Sequence, residues 1–365
     1  MLSFPRRNAS PEPPTFKQRV DNFWLWFEEM GPRFYATIEA GRCAALSDET
    51  NAKVDELFPG FGWVYGPGAN RKGHSFTLTG EGNIHRQLLA LEWLSSAPVV
   101  DGWTFYAARQ SGPIRGHAIK IDDLHFDPKE IWVTPTVDQE HERIDLVVWH
   151  PAWNRIESKQ RSTVTFLFLD EALGEYGTDW WVGKIDFGNQ KLAGAFPLEE
   201  LADYMVATAG KHGWKKCPPG ELWTLFHLEE SAGEFPRGDT MTYTTCVPKL
   251  FREFMDVSGR LDDPLKGLGA DYVYVSIEAG FFPKGAEVNA RSEIEEVVAS
   301  ALGSIRGGRH IGGGLGRERG YCDFLIFDGS RSLAAISSTL RKKNAPPGTM
   351  IEFFAREKRS QRIAL

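Results

Sequence analysis

The stretch Asp271-Tyr272-Val273-Tyr274-Val275-Ser276-Ile277 decides the fold class. Val273, Val275 and Ile277 alternate with Tyr272, Tyr274 and Ser276, the two-residue period of a strand whose two faces meet different surroundings. Outward from it, the pattern predicts a helix over Arg291 to Leu302 and strands over Arg309 to Gly313 and Tyr321 to Phe327. A helix over Ser330 to Lys343 and a closing strand over Met350 to Phe354 follow. The order βαββαβ across residues 271–355 is that of a ferredoxin-like split unit, which puts the chain in the α+β class.

Upstream, 365 residues exceed the usual span of one hydrophobic core, so two domains are expected. Residues 213–220, with Pro218-Pro219 behind a cluster of charge, read as the linker. This divides the chain into an α+β domain at 16–212, with antiparallel strands and packed helices, and a C-terminal α+β domain at 221–365. Residues 1–15 carry four prolines among small and polar residues and read as a disordered arm. Val20, Phe23, Trp24, Phe27 and Phe34 predict a helix that Gly31-Pro32 should break or kink. Trp180 to Phe187 reads as a strand, whereas Ser162 to Leu173 fits strand by residue type and helix by period.

The aromatic helix Phe23-Trp24-Leu25-Trp26-Phe27, a Gly-aromatic hairpin, a helix ending in Ala97-Pro98 and the strand Asp101-Gly102-Trp103-Thr104-Phe105 form one set of motifs. Together they resemble the bacterial domain of unknown function numbered 695, over residues 16–212. The resemblance implies a bacterial setting and a helix at Ser162 to Leu173, and it brings no activity with it.

The net charge of −7 argues against general nucleic-acid affinity, which comes largely from Lys and Arg displacing counterions on phosphates. Cysteines 43, 217, 246 and 322 form no CxxC pair, so reduced thiols in the cytoplasm are expected. The histidines have neither HExxH nor zinc-finger spacing. Neither a metal nor a cofactor is expected. No run approaches the ~18 apolar residues that cross a bilayer, so no membrane partner is expected.

Residues 307–320 hold seven glycines, with Arg306, Arg309, His310, Arg317 and Arg319 in or beside them. Such a segment lets backbone amides and guanidinium groups meet phosphate or carboxylate. It lacks the Gly-Lys-Ser/Thr of a P-loop, and the plain alternative is a glycine-rich connection between two strands. Tyr272, Tyr274 and Tyr321 should share the sheet face away from the helices, where RNA-recognition modules of the same topology stack bases. Asp323 on that face and the missing basic consensus favour packing against protein instead. Trp180-Trp181 cannot both face inward from a strand, so one of them is a candidate contact. With no catalytic constellation, the expected function is a non-catalytic protein-binding role, as an adaptor or immunity-type protein. The alternative is an enzyme or small-ligand sensor that takes an anionic molecule at the loop 306–320, with His150 or His310 moving a proton.

Overall fold

The computed structural model describes residues 13–215, 217–228 and 235–365. The chain starts with helices α1 (Phe16–Glu39) and α2 (Ser47–Leu57). There follow β1 (Gly62–Pro67), β2 (His74–Thr79), α3 (Ile84–Ser95), β3 (Trp103–Tyr106), β4 (Ile119–Ile121), β5 (Leu124–Phe126), β6 (Trp132–Asp138) and β7 (Arg143–Trp149). Next are α4 (Ser158–Leu173), α5 (Glu175–Trp181), β8 (Val182–Phe187), β9 (Phe196–Pro197) and α6 (Leu201–His212). The last third carries β10 (Thr224–His227), β11 (Thr240–Thr245), α7 (Pro248–Asp256), β12 (Asp271–Glu278) and α8 (Glu287–Ser304). It closes with β13 (Gly308–Gly316), β14 (Arg319–Ile326), α9 (Gly329–Lys342), β15 (Met350–Phe353) and β16 (Ile363–Ala364). Helices and strands in mixed sheets make the protein α+β. Among the described residues no helix is long and apolar enough to cross a membrane.

The chain forms two compact units, and their division corrects the expected domain at 16–212. Residues 13–60 cluster with Ser96–Pro98 and the described part of 222–365, while Phe61–Ser95 and the described part of Val99–Glu221 form the other unit. The reason lies at the start of α1, where the first N–H groups of a helix have no partner within it. Phe16 N donates to Gly269 O at 2.7 Å and Lys17 N to Phe327 O at 2.9 Å, carbonyls that flank β12 and β14. Thr15 caps the helix and donates its hydroxyl to Asp328. The arm expected at 1–15 falls largely outside the described residues, but its last residue is part of this anchor. Pro32 does not end the helix either. The Phe27 and Phe34 rings stand 6.0 Å apart on either side of it, and burial of several such rings, at ~1.5–3 kcal/mol each, exceeds the ~3 kcal/mol cost of an interior proline. Arg19 then joins α1 to α2 by donating to the carbonyls of Glu56 and Leu57.

The unit holding the C-terminus is built on a seven-stranded sheet in the order β10-β11-β13-β14-β12-β15-β16, antiparallel throughout. Helices α8 and α9 pack on one face, where Val273, Val275, Phe324, Ile326, Val298 and Ile336 form an apolar core. Part of the other face is covered by α7 through Phe251 and Phe254. The other unit carries a three-stranded sheet β1-β2-β3 and a four-stranded sheet β8-β7-β6-β9. The expected antiparallel strands are present in the β1–β2, β6–β7 and β6–β9 pairs, and the β2–β3 and β7–β8 pairs are parallel. One core of this unit packs Val133, Leu146 and Val148 against Phe168, Leu169 and Met205. Residues 162–173 lie in α4, and Trp103 is half-buried at the start of β3.

Candidate functional site

The glycine-rich segment is not a loop. Residues 308–316 form β13, an inner strand paired on both sides, and only Arg317 and Glu318 make the turn into β14. Glycine is needed there because neighbours press against both faces. A Cβ on Gly313 would lie 2.7 Å from the Tyr321 carbonyl oxygen and collide with the Glu295 carboxylate on α8. One on Gly312 would lie 2.9 Å from the Tyr243 hydroxyl.

The strand therefore separates the arginines expected to act together, placing Arg306 and Arg309 roughly 25 Å from Arg317. Arg306 follows α8 and pairs with Asp21 at 3.1 Å. Arg309 lies beside Cys246, whose thiol is pushed up by burial and eased back by that guanidinium. His310 packs between Trp223 and Phe324 and reaches Gly312 O at 2.9 Å through Nε2. These three residues belong to packing at one end of the sheet. Arg317 and Arg319 stand at the other end, where a cavity opens.

The cavity has a volume of about 640 Å³ and is floored by the sheet face that α7 leaves uncovered. Register explains its floor. Tyr321, Ser276 and Met350 form one row across β14, β12 and β15, and Asp323, Tyr274 and Glu352 form the next. Arg317, Glu318, Arg319 and Arg362 stand around it, and Asp239 closes it from the β11 side. Asp239 accepts from the Tyr321 hydroxyl at 2.5 Å and from the amides of Glu318 and Arg319 at 3.0 and 3.1 Å, which locks the β13–β14 turn. Burial and then Asp239 push the Tyr321 hydroxyl well above its ordinary range, so it remains a donor. Arg319 donates through Nη1 to Ser276 Oγ and Gly348 O, both at 3.2 Å, and Ser276 donates to Glu352 Oε2 at 3.1 Å.

Beneath this floor lies an ion pair with no solvent access. Arg237 Nη1 stands 3.0 Å from both carboxylate oxygens of Asp323, and both side chains are 0 % exposed. Rings of Tyr243, Phe251, Tyr274, Tyr321 and Phe354 surround the guanidinium carbon at 4.6–5.8 Å. Burial works against this cation, but Asp323 and the ring hydroxyls hold its pKa above the ordinary arginine value. Its Nε and Nη2 have no hydrogen-bond partner among the described residues, so ring faces stand in for acceptors. Arg237 also adopts φ 66°, a backbone conformation that side chains rarely take.

The tyrosines expected to form an interaction surface are corrected by this arrangement. Tyr272, Tyr274 and Tyr321 are each 3 % exposed, because α7 and the Arg237 turn lie over their rings. They offer no face on which a base can stack. Trp180 and Trp181 lie in α5, with the strand starting only at Val182. Both are half-buried beside Trp214 and Arg143, around a space of about 70 Å³ that is too small for a ligand. Their spacing in sequence mimics a strand because the helix ends at the second of them.

Two carboxyl groups in the other unit, buried Glu175 and half-buried Asp179, are already engaged by neighbours. Glu175 accepts from Thr79, Gly82, Gln87 and the Arg109 amide, and Asp179 accepts from Gln87. No group of three metal-ligating side chains exists among the described residues. His150 is 4 % exposed, its Nδ1 accepting from Ala152 N at 3.1 Å and its ring packed on Phe126 and Trp153. It is a core residue.

Of the residues lining the cavity, sequence reasoning named Arg317 and Arg319 and did not single out Arg237, Asp239, Glu352 or Arg362. Glu352 carried a signal, as a charge inside the otherwise apolar Ile351 to Phe354. Comparison with known proteins finds no family model, curated protein or solved structure that matches this chain.

Proposed function

We propose that the protein is a non-catalytic binding protein whose site is the cavity at the β13–β14 turn, taking a small polar ligand with an anionic group. The observation that carries this reading is the cluster of Arg317, Arg319 and Arg362 around a concave space within the usual ~300–1,000 Å³ of ligand pockets. Guanidinium groups in such a place suit carboxylate or phosphate oxygens. No histidine, cysteine or lysine lines the cavity among the described residues, so its chemistry favours holding a ligand over transforming one. We also read β12 to β15 with α8 and α9 as a ferredoxin-like unit. In chain order these four strands lie 2-3-1-4, with every pair antiparallel, which supports that reading. A reducing cytoplasmic setting fits the four free cysteines.

The test is thermal melting of the full chain with phosphate, acetate or citrate, compared with an Arg317→Ala/Arg362→Ala variant. Both side chains are exposed, so their loss should leave the fold intact. A ligand at 100 times its Kd stabilises the parent by about 2.7 kcal/mol, and the variant should lose most of that gain. Equal shifts in both proteins, or none in the parent, would refute the reading.

A further inference from the structure

Among the described residues the charges around the cavity balance. Arg317, Arg319 and Arg362 face Asp239, Glu318 and Glu352, and Arg237 is neutralised beneath them by Asp323. A multiply charged anion would set its second charge beside carboxylates, whereas a ligand with one charge of each sign meets both sets. Asp239 already accepts three hydrogen bonds, so it offers little to a ligand. Glu352 is different. Its Oε2 takes the Ser276 hydroxyl, while its Oε1 has no hydrogen bond among the described residues.

Arg319 is its complement. Its Nη1 is engaged by Ser276 and Gly348, and its Nε and Nη2 remain donors without partners among the described residues. The Ser276 hydroxyl thus stands between a guanidinium and a carboxylate, linked by hydrogen bonds of 3.2 and 3.1 Å, which holds the two groups about 6 Å apart at most. Arg319 sits on β14 and Glu352 on β15, the two strands that flank β12, and Ser276 of β12 stands between them.

Resting on the binding reading above, we propose that the ligand is a small zwitterion, an amino-carboxylic compound. Its ammonium donates to Glu352 Oε1, and its carboxylate accepts from Arg319 with help from Arg317 or Arg362. The separation suits charges divided by one to three carbons, and the space beside Met350 takes a modest apolar part.

Isothermal titration of the full chain with 2-, 3- and 4-aminobutyrate, butyrate and butylamine tests this. At least one aminobutyrate should bind roughly tenfold or more tightly than butyrate and butylamine, because one charge-assisted hydrogen bond accounts for that much. Glu352→Gln, which keeps an acceptor for Ser276 and removes the negative charge, should erase the advantage over butyrate while butyrate binds no more weakly than to the parent. Butyrate binding as well as every aminobutyrate would overturn the zwitterion assignment and leave the anion site standing. If no member of the series binds while phosphate or citrate does, the assignment also falls and the binding reading survives. If none of these probes binds, both fall.

Discussion

Removing one partner of the Arg237–Asp323 pair should destabilise the C-terminal sheet strongly, and removing both should cost clearly less than the two single losses added together. Each side chain is 0 % exposed, and Asp323 also accepts the Tyr243 hydroxyl at 2.5 Å, so a lone survivor is a buried charge with no counter-ion. Such an orphan costs about 3–5 kcal/mol, whereas replacing a whole buried pair with apolar side chains of similar volume is often neutral. Arg237→Met and Asp323→Leu should each therefore lose about 3–5 kcal/mol. The double variant should lose clearly less than the sum, since the rings around Arg237 accept a thioether as readily as a cation. The assay is native-state amide hydrogen exchange in β12 and β14, which reads the opening of this unit apart from the other. Exchange should quicken about 10²- to 10⁴-fold in each single variant. Parent-like exchange in either single variant, or additive losses in the double, would refute the idea that the pair is held by mutual need.

Three further outcomes follow from the packing. Gly313→Ala should destabilise by about 1–3 kcal/mol, because the added methyl meets Glu295 and the Tyr321 carbonyl, and an unchanged urea midpoint would show that α8 yields freely. Burial lowers the pKa of His150, so the ring is neutral in the fold and the unfolded chain takes up a proton first as pH falls. The stability tied to His150 is thus complete above about pH 6.5 and declines below it. His150→Phe should flatten the melting temperature between pH 7 and 5, and an undiminished slope would contradict this. Asp170 has the opposite sign: burial, reinforced by the Glu175 charge and opposed by a Thr178 hydrogen bond, raises its carboxyl to about 6. The fold then binds a proton that the unfolded chain releases until about pH 4, so Asp170→Asn should raise the melting temperature at pH 7 and lose that gain near pH 4. A gain that persisted at pH 4 would point to some cause other than charge.

Local pattern determined the strands and helices from Asp271 onward, because alternation in Tyr272 to Ile277 and helical spacing in residues 291–302 are properties of neighbouring side chains. It also determined that the first helix is aromatic and amphipathic, though not that it runs through Pro32. What that helix packs against was decided in the last third of the chain, where Gly269 and Phe327 offer their carbonyls. The glycine run shows the same division. Sequence marks 307–320 as needing bare backbone, and turns, ligand loops and crowded strands all share that need. Only the positions of Glu295 and Tyr243 on either side select the strand, and that choice separates Arg306 and Arg309 from Arg317 and Arg319. The cavity itself is lined by Asp239, Glu352 and Arg362, with Ser276 bonded to Glu352 from β12, four residues that no spacing links. Cross-strand register and the reach of α7 bring them together, because pairing across a sheet depends on contacts between distant segments that a single strand does not encode.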